Sequence, residues 1–311
     1  MSASWGRGTV SDSPRSPMSN AVVIPLSRYF AAGLCLRGGS LTSLDLCLWL
    51  AAVSGTLALV DEPDESGLTL RDHWITARGD AAPVWIAGPV LLQATGQRGY
   101  ALLERSFERL AEARVSIGLH GPADAHRLWH GWEATPVSKE DPIDRGVVSG
   151  LMLTQAMIEG DPHPVAVNLS AMAAFRSRFS ALIYLRALGW MAGAGTPKSW
   201  SRTRPGPRVS VTVPIGDLHR ALGTDSLAMV GDWNAKAFGP GGRGGPVHED
   251  LATAGIRLKT EWRMGAAGYG TRQVPTGLRI TVSTIAGAER RPLPRRPRQS
   301  SSSSISASSR P

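Results

Sequence analysis

The sequence predicts an α+β fold: two winged-helix domains in tandem, each a set of helices closed by a β-hairpin, with disordered termini. Three observations predict it. Residues 208 to 282 pass from an alternating strand through two short helices into a hairpin. Residues 41 to 134 repeat the order helix, helix, helix, hairpin without repeating its sequence. Both ends of the chain are rich in Ser, Pro and Arg and carry no apolar period.

Residues 1–39 are read as a largely disordered N-terminal segment, and the start, Met1 to Asn20, lacks the apolar stretch of a signal peptide. The first domain is placed at residues 40–145. Thr42-Ser43-Leu44-Asp45 signals a helix cap, and Leu44, Cys47, Leu48 and Ala51 recur at helical spacing. The uncharged run Leu46 to Val60 is 15 residues long, whereas a spanning helix needs about 20, so it predicts a buried core helix and no membrane contact. Pro89 to Thr95 reads as a further helix. Tyr100 to Ala113 follows as an amphipathic one, with Tyr100, Leu103, Phe107 and Leu110 as its apolar stripe. Its exposed side mixes Glu104, Glu108 and Glu112 with Arg105 and Arg109, a set suited to pairing along the helix and to facing solvent or protein. Val115, Ile117 and Leu119 alternate as a strand, Gly121-Pro122 turns it, and Trp129 to Ala134 is the expected return strand.

The second domain is placed at residues 146–285. Gly146 to Met157 suits a strand and turn, Pro164 to Leu169 a strand, Ser170 to Arg176 a short helix and Phe179 to Met191 a longer one. Gly193 to Pro207 reads as an exposed loop. Arg208 to Val213 alternates as a strand, and Ile215 to Leu222 is a short helix stopped by Gly223. Gly245-Pro246 opens another helix, with Val247, Leu251 and Ala254 on one face and Gly255 at its end. In Ile256 to Arg263 the apolar residues alternate with Arg257, Lys259 and Arg263. After a glycine-rich turn the alternation resumes with Leu278, Ile280 and Val282 around Arg279. Strand, helix, helix, hairpin is winged-helix order, and the helix from Val247 to Ala254 is the expected groove reader.

Charge separates the two halves. Residues 1 to 197 hold 16 Lys and Arg against 18 Asp and Glu, residues 198 to 282 hold 12 against 6, and residues 289 to 311 hold 6 against 1. A polyanion would therefore be met by the C-terminal half, because fixed cations displace condensed counterions from phosphates. The tail, residues 286–311, is read as a disordered Arg/Pro/Ser-rich segment that could add nonspecific affinity for nucleic acid. Ten tryptophans suggest core anchors, and Cys35 and Cys47 alone supply neither a disulfide framework nor zinc-finger spacing, which fits a reduced cytoplasm.

Enzymatic readings find little support. The stretch Gly239 to Pro246 lacks the Gly-Lys-Ser/Thr ending of a phosphate-binding loop. His120, His126 and His130 lie close in sequence, the last two at the spacing of one helical face, but no His-Glu-x-x-His pattern accompanies them. No pair of histidines flanks an apolar residue near a tyrosine, as a DNA-nicking site would require. No catalytic residue, metal site or cofactor is expected.

Several segments together resemble a known family: the capped helix at Leu41, the run Pro164 to Ser170, the phrase Arg178 to Leu185, the phrase Val211 to Gly223, and Val247 to Ile256 leading into a basic hairpin. Over residues 40 to 282 this order is similar to plasmid replication initiator (Rep) proteins, which have two winged-helix domains. The resemblance implies sequence-specific binding to repeated origin sites in double-stranded DNA, self-repression, a homodimer through the first domain, and host replication proteins as partners. Two departures stand out. Gly239 to Pro246 replaces part of a longer continuous helix, and Ile183-Tyr184-Leu185-Arg186 replaces an aromatic pair. The expected DNA-binding residues are Arg202, Arg204, Arg208, Lys236, Arg243, His248, Arg257, Lys259, Arg263, Arg272 and Arg279. The competing classes are a winged-helix transcriptional regulator without a replication role, and a protein-interaction module whose basic tail alone meets nucleic acid.

Overall fold

The structure, a computed structural model, describes residues 22–37, 40–58, 67, 69, 82–87, 100–117, 126–127, 129–134, 146–151, 161–223, 230–266 and 273–285. The expected helix from Pro89 to Thr95, the tail from Ala286 and the first 21 residues lie outside them. Helices and antiparallel sheets are mixed throughout.

Strand β1 (Val23–Leu26), helix α1 (Arg28–Gly33) and strand β2 (Leu34–Arg37) fall within the segment expected to be unstructured, which they correct. Ile24, Leu26, Phe30, Leu34 and Leu36 are buried. The local pattern hides this because the partner of β1 is distant. It is β8 (Val165–Asn168), paired antiparallel from Val23 opposite Asn168 to Leu26 opposite Val165.

Helix α2 (Ser43–Ala58) is the predicted core helix, with Leu46 to Ala52 buried on every side. Among the described residues, no helix is long and apolar enough to cross a membrane. Asp45 is fully buried at its first turn and accepts two hydrogen bonds from Arg109 of α3 (Tyr100–Glu112), at 2.8 and 2.6 Å. Burial raises the Asp45 carboxyl, but the Arg109, Ser106 and Thr42 hydrogen bonds outweigh it and leave the group below the ordinary aspartate value.

Strand β3 (Ala82–Ala87), β4 (Arg114–Ile117), β5 (His126–Arg127), β6 (Trp129–Ala134) and β7 (Gly146–Leu151) form two small sheets. The return strand differs from expectation. It is β5 that pairs with β4, alongside β2, while β6 pairs with β7 and β7 with β3. Strand β7, assigned by sequence to the second domain, thus pairs with two strands that precede it in the chain. His126 and His130 lie on strands, so they share no helical face.

After β8 come α4 (Leu169–Ala173) and α5 (Arg178–Met191). Helix α5 is the centre of the molecule, buried from Phe179 to Ala187. Helix α1 packs so closely on it that a Cβ on Gly189 would stand 2.6 Å from the Arg28 carbonyl oxygen. Tyr184 is buried, and its hydroxyl accepts the Asn168 backbone N–H at 3.1 Å, tying α5 to the start of α4. Arg186 is 3% exposed and donates to the carbonyls of Ala32, Leu34 and Ala221 at 2.6, 2.5 and 2.8 Å. One guanidinium therefore joins the N-terminal segment, α5 and α6 (Ile215–Leu222).

The buried apolar residues form one continuous cluster from Ile24 to Val282. Helix α2 of the first half packs on α4 and α5 of the second, so among the described residues the two halves share this cluster.

Candidate nucleic-acid interface

Strand β10 (Arg208–Pro214) is followed by α6, which ends at Gly223 with φ +62°, a left-handed cap that glycine adopts without strain. Next come α7 (Val230–Trp233), continued as a π-helical turn over Asn234–Phe238, then a short 3-10 turn over Pro240–Gly242, and α8 (Pro246–Thr253). Strands β11 (Ile256–Ala266) and β12 (Gln273–Thr284) close the predicted hairpin. The sheet order is β11, β12, β10, with the two-residue β9 (Ser201–Arg202) at the far edge.

Alternation gives this sheet two faces. Val209, Val211, Val213, Ile256, Leu258, Leu278, Ile280 and Val282 are buried against the helices. The outer face can be read rung by rung from the register: Arg208, Ser283 and Arg257; then Ser210, Thr281 and Lys259; then Thr212, Arg279 and Glu261. Arg263 stands one rung further, opposite Gly277. Five basic side chains thus share a face with one carboxylate. Beyond Pro214, where β10 ends, β11 and β12 continue as a two-stranded ribbon through Met264, Gly265 and Ala266, a projection of about 10 Å.

The remaining expected residues are placed differently. Arg202 lies opposite Val211, on the inward side, and its guanidinium donates to the Ala194 carbonyl. His248 turns inward as well: its Nε2 is 3.2 Å from Thr260 Oγ1, and its Nδ1 is buried without a partner. Burial lowers the His248 pKa against the raising effect of its Gly245 backbone contact, so the ring is neutral near pH 7. Neither side chain faces outward, which corrects the expectation. Arg204, Lys236 and Arg243 are exposed but belong to no strand of the sheet, and Arg272 lies outside the described residues.

Helix α8 is the expected groove reader. Its exposed positions are Glu249, Ala252 and Thr253, with no cation among them. Asp250 is buried and accepts hydrogen bonds from Ser180 Oγ at 2.5 Å and from the Arg176 backbone N–H at 3.0 Å, while Arg176 also pairs with Glu249. The helix is fastened to the core through Asp250, while Glu249 stays at the surface. The glycine stretch before it is a folded loop, with the Gly242 carbonyl accepting from Thr260 Oγ1 and positive φ at Gly239, Gly241, Gly242 and Gly244. Trp262 Nε1 donates to Asn234 Oδ1 at 2.9 Å, holding the Lys236 turn beside β11.

Gly193 to Pro207, expected as an exposed loop, is partly anchored. Trp200 is buried against Trp190, and Asp217 Oδ2 accepts from both Trp200 Nε1 and Ser199 Oγ at 2.9 Å. Burial raises the Asp217 carboxyl, yet the Trp200, Arg220 and Ser199 contacts hold it below the ordinary value.

Sequence reasoning named the cations of the face but missed Ser210, Thr281 and Glu261 beside them. Strand alternation alone is enough to put Ser210 and Glu261 on the outward side. What it could not supply was the register that sets Thr281 between them. Among the described residues, no three His, Cys, Asp or Glu side chains gather as a metal site.

This chain is similar to the Pi initiator protein. A solved structure titled "Crystal structure of Pi initiator protein in complex with iteron DNA" is 12% identical, with a TM-score of 0.43, covering 82% of this chain and 99% of that one. No protein-family model matches the chain, and no curated protein does.

Proposed function

We propose that the protein is a double-stranded-DNA-binding replication initiator of the plasmid type, acting in the cytoplasm by binding repeated origin sites and without catalysis of its own. The observation that carries this reading is the outer face of the β10, β12, β11 sheet, where Arg208, Arg257, Lys259, Arg263 and Arg279 come together from three strands. Fixed cations at strand spacing suit a phosphate backbone, which supplies sequence-independent affinity through counterion release. The outer-face rungs from Arg208 to Glu261 hold no aromatic side chain, so they offer single-stranded bases nothing to stack on, and this favours a duplex. The projecting ribbon of β11 and β12 is narrow enough to enter a groove.

In this reading the sheet and ribbon take the part first given to helix α8, whose exposed side has no cation. Helix α3, with Glu104, Arg105, Glu108 and Glu112 outward or half-buried and Leu102 42% exposed, is left for a second copy or for host replication proteins.

The test is capture of plasmid and genomic fragments by the full chain at physiological salt, followed by sequencing. Enrichment of repeated sites from replication origins supports the reading. Enrichment of isolated promoter sites would instead indicate a transcriptional regulator. A binding signal lost on deleting residues 286–311 alone would assign nucleic-acid contact to the tail.

A further inference from the structure

The outer face is not evenly basic. Three of its five cations, with its one carboxylate, line a shallow concavity formed by Arg208, Ser210, Lys259, Glu261, Arg279 and Thr281. These side chains are far apart in sequence but adjacent in register. Ser210, Thr281 and Lys259 occupy one rung, Arg279 and Glu261 the next, and Arg208 the one before.

Three features mark it as a site for an anion. Arg208, Lys259 and Arg279 have no side-chain hydrogen bond or ion pair among the described residues, and Glu261 stands opposite Arg279 without closing one. Three cations that share one carboxylate keep a net positive charge, and a bound anion relieves their remaining repulsion. At the floor, Ser210 Oγ and Thr281 Oγ1 are 2.7 Å apart. Two hydroxyls bonded to each other use one hydrogen and leave the other for a ligand oxygen. Finally, the donors differ in kind and direction: two guanidinium forks, one ammonium and a hydroxyl, contributed by three strands.

That arrangement suits a tetrahedral oxyanion better than a planar carboxylate, which one guanidinium fork satisfies by itself. Glu261 on the rim disfavours a second negative charge close by, so a singly charged diester fits better than a polyphosphate. We propose that the concavity is an oxyanion seat that takes one phosphodiester of the bound DNA backbone. This rests on the DNA-binding reading above and fixes where on the sheet the duplex is registered. Arg279 and Lys259 bind the non-bridging oxygens, Arg208 closes the near side, and the Ser210 and Thr281 pair donates from below.

Two measurements on the full chain separate the seat from the reading it rests on. In the first, inorganic phosphate is titrated at constant ionic strength while backbone amide NMR shifts are followed. Saturable shifts at Ser210, Lys259, Arg279 and Thr281 are expected. They should weaken about tenfold in Arg279→Gln and in Thr281→Val, which keeps the side-chain shape, and persist in Lys236→Gln. Linear, unsaturated shifts, or equal behaviour of the Arg279 and Lys236 variants, would overturn the seat whatever the protein does with DNA. In the second, duplex affinity is measured for the same variants. A loss in Arg279→Gln that exceeds the loss in Lys236→Gln assigns the seat to the DNA backbone. Saturable phosphate binding with duplex affinity equal in the two variants would overturn that assignment in favour of a free phosphate compound. Absence of duplex binding by the wild type would overturn the functional reading and, with it, the diester as ligand.

Discussion

Asp250 of helix α8 and Ser180 of helix α5 are joined by a 2.5 Å hydrogen bond between two buried side chains. The same carboxylate accepts the Arg176 backbone N–H and the Arg176 Nε–H at 3.0 and 3.1 Å. The contact decides which way α8 faces. Asp250 is turned to the core while Glu249 stays at the surface, and the basic surface is left to the sheet. Asp250→Ala should strand the Ser180 hydroxyl and the Arg176 N–H in a poorly solvated place, at a cost of about 2 kcal/mol in urea unfolding. An unchanged midpoint would show that this contact does not hold the helix.

Arg186 is a buried cation satisfied by backbone carbonyls of Ala32, Leu34 and Ala221. Arg186→Ala removes its donors from three carbonyls and opens a cavity where α1, α5 and α6 meet. A loss of about 3 kcal/mol is expected. Hydrogen exchange should show the added opening first in β1 to β2, and a uniform increase over the chain would contradict the stapling role.

Two carboxylates and one imidazole among the described residues contribute to the acid side of the stability profile. Asp45 and Asp217 are held below the ordinary value of 3.8, so each contributes stability that is present above that pH and lost as pH falls through the lowered folded value. His248 is lowered from 6.5 by burial, so the unfolded chain takes up its proton first and stability begins to fall as pH drops below 6.5. Thermal melts should therefore decline in two stages on acidification. His248→Gln is expected to remove the upper stage and Asp217→Asn to reduce the lower one.

On the DNA side, Lys259→Ala and Arg263→Ala should each weaken binding to specific and random duplexes alike. Each should also reduce the slope of log affinity against log salt by about one unit per lost phosphate contact. Arg202→Ala and His248→Gln, whose side chains turn inward, should leave that slope unchanged. Equal slopes in all four variants would remove the sheet face from the interface.

Much of the second half was legible in the sequence. Alternation in Arg208 to Val213 and in Ile256 to Arg263 fixed which side chains face outward, and Gly223 and Gly255 marked helix ends where φ is +62° and +77°. Strand and helix periods are local properties, so they survive reading one residue after another. His248 was misplaced because its position on α8 looks solvent-facing until β11 brings Thr260 against it. Trp200 is buried, as expected of a core anchor, but an isolated tryptophan among Gly, Pro and Lys has no period to say that it packs on Trp190.

By itself the sequence determined an α+β chain, the hairpin of β11 and β12, and the concentration of positive charge in the C-terminal half, since each follows from local pattern or composition. The tertiary structure alone decided that β1 pairs with β8 and that β7 lies between β3 and β6. It also decided that one buried cluster runs through the described residues of both halves, and that Arg208, Lys259 and Arg279 meet around Thr281. Those outcomes depend on strand register and on contacts between residues far apart in the chain, which no local period encodes.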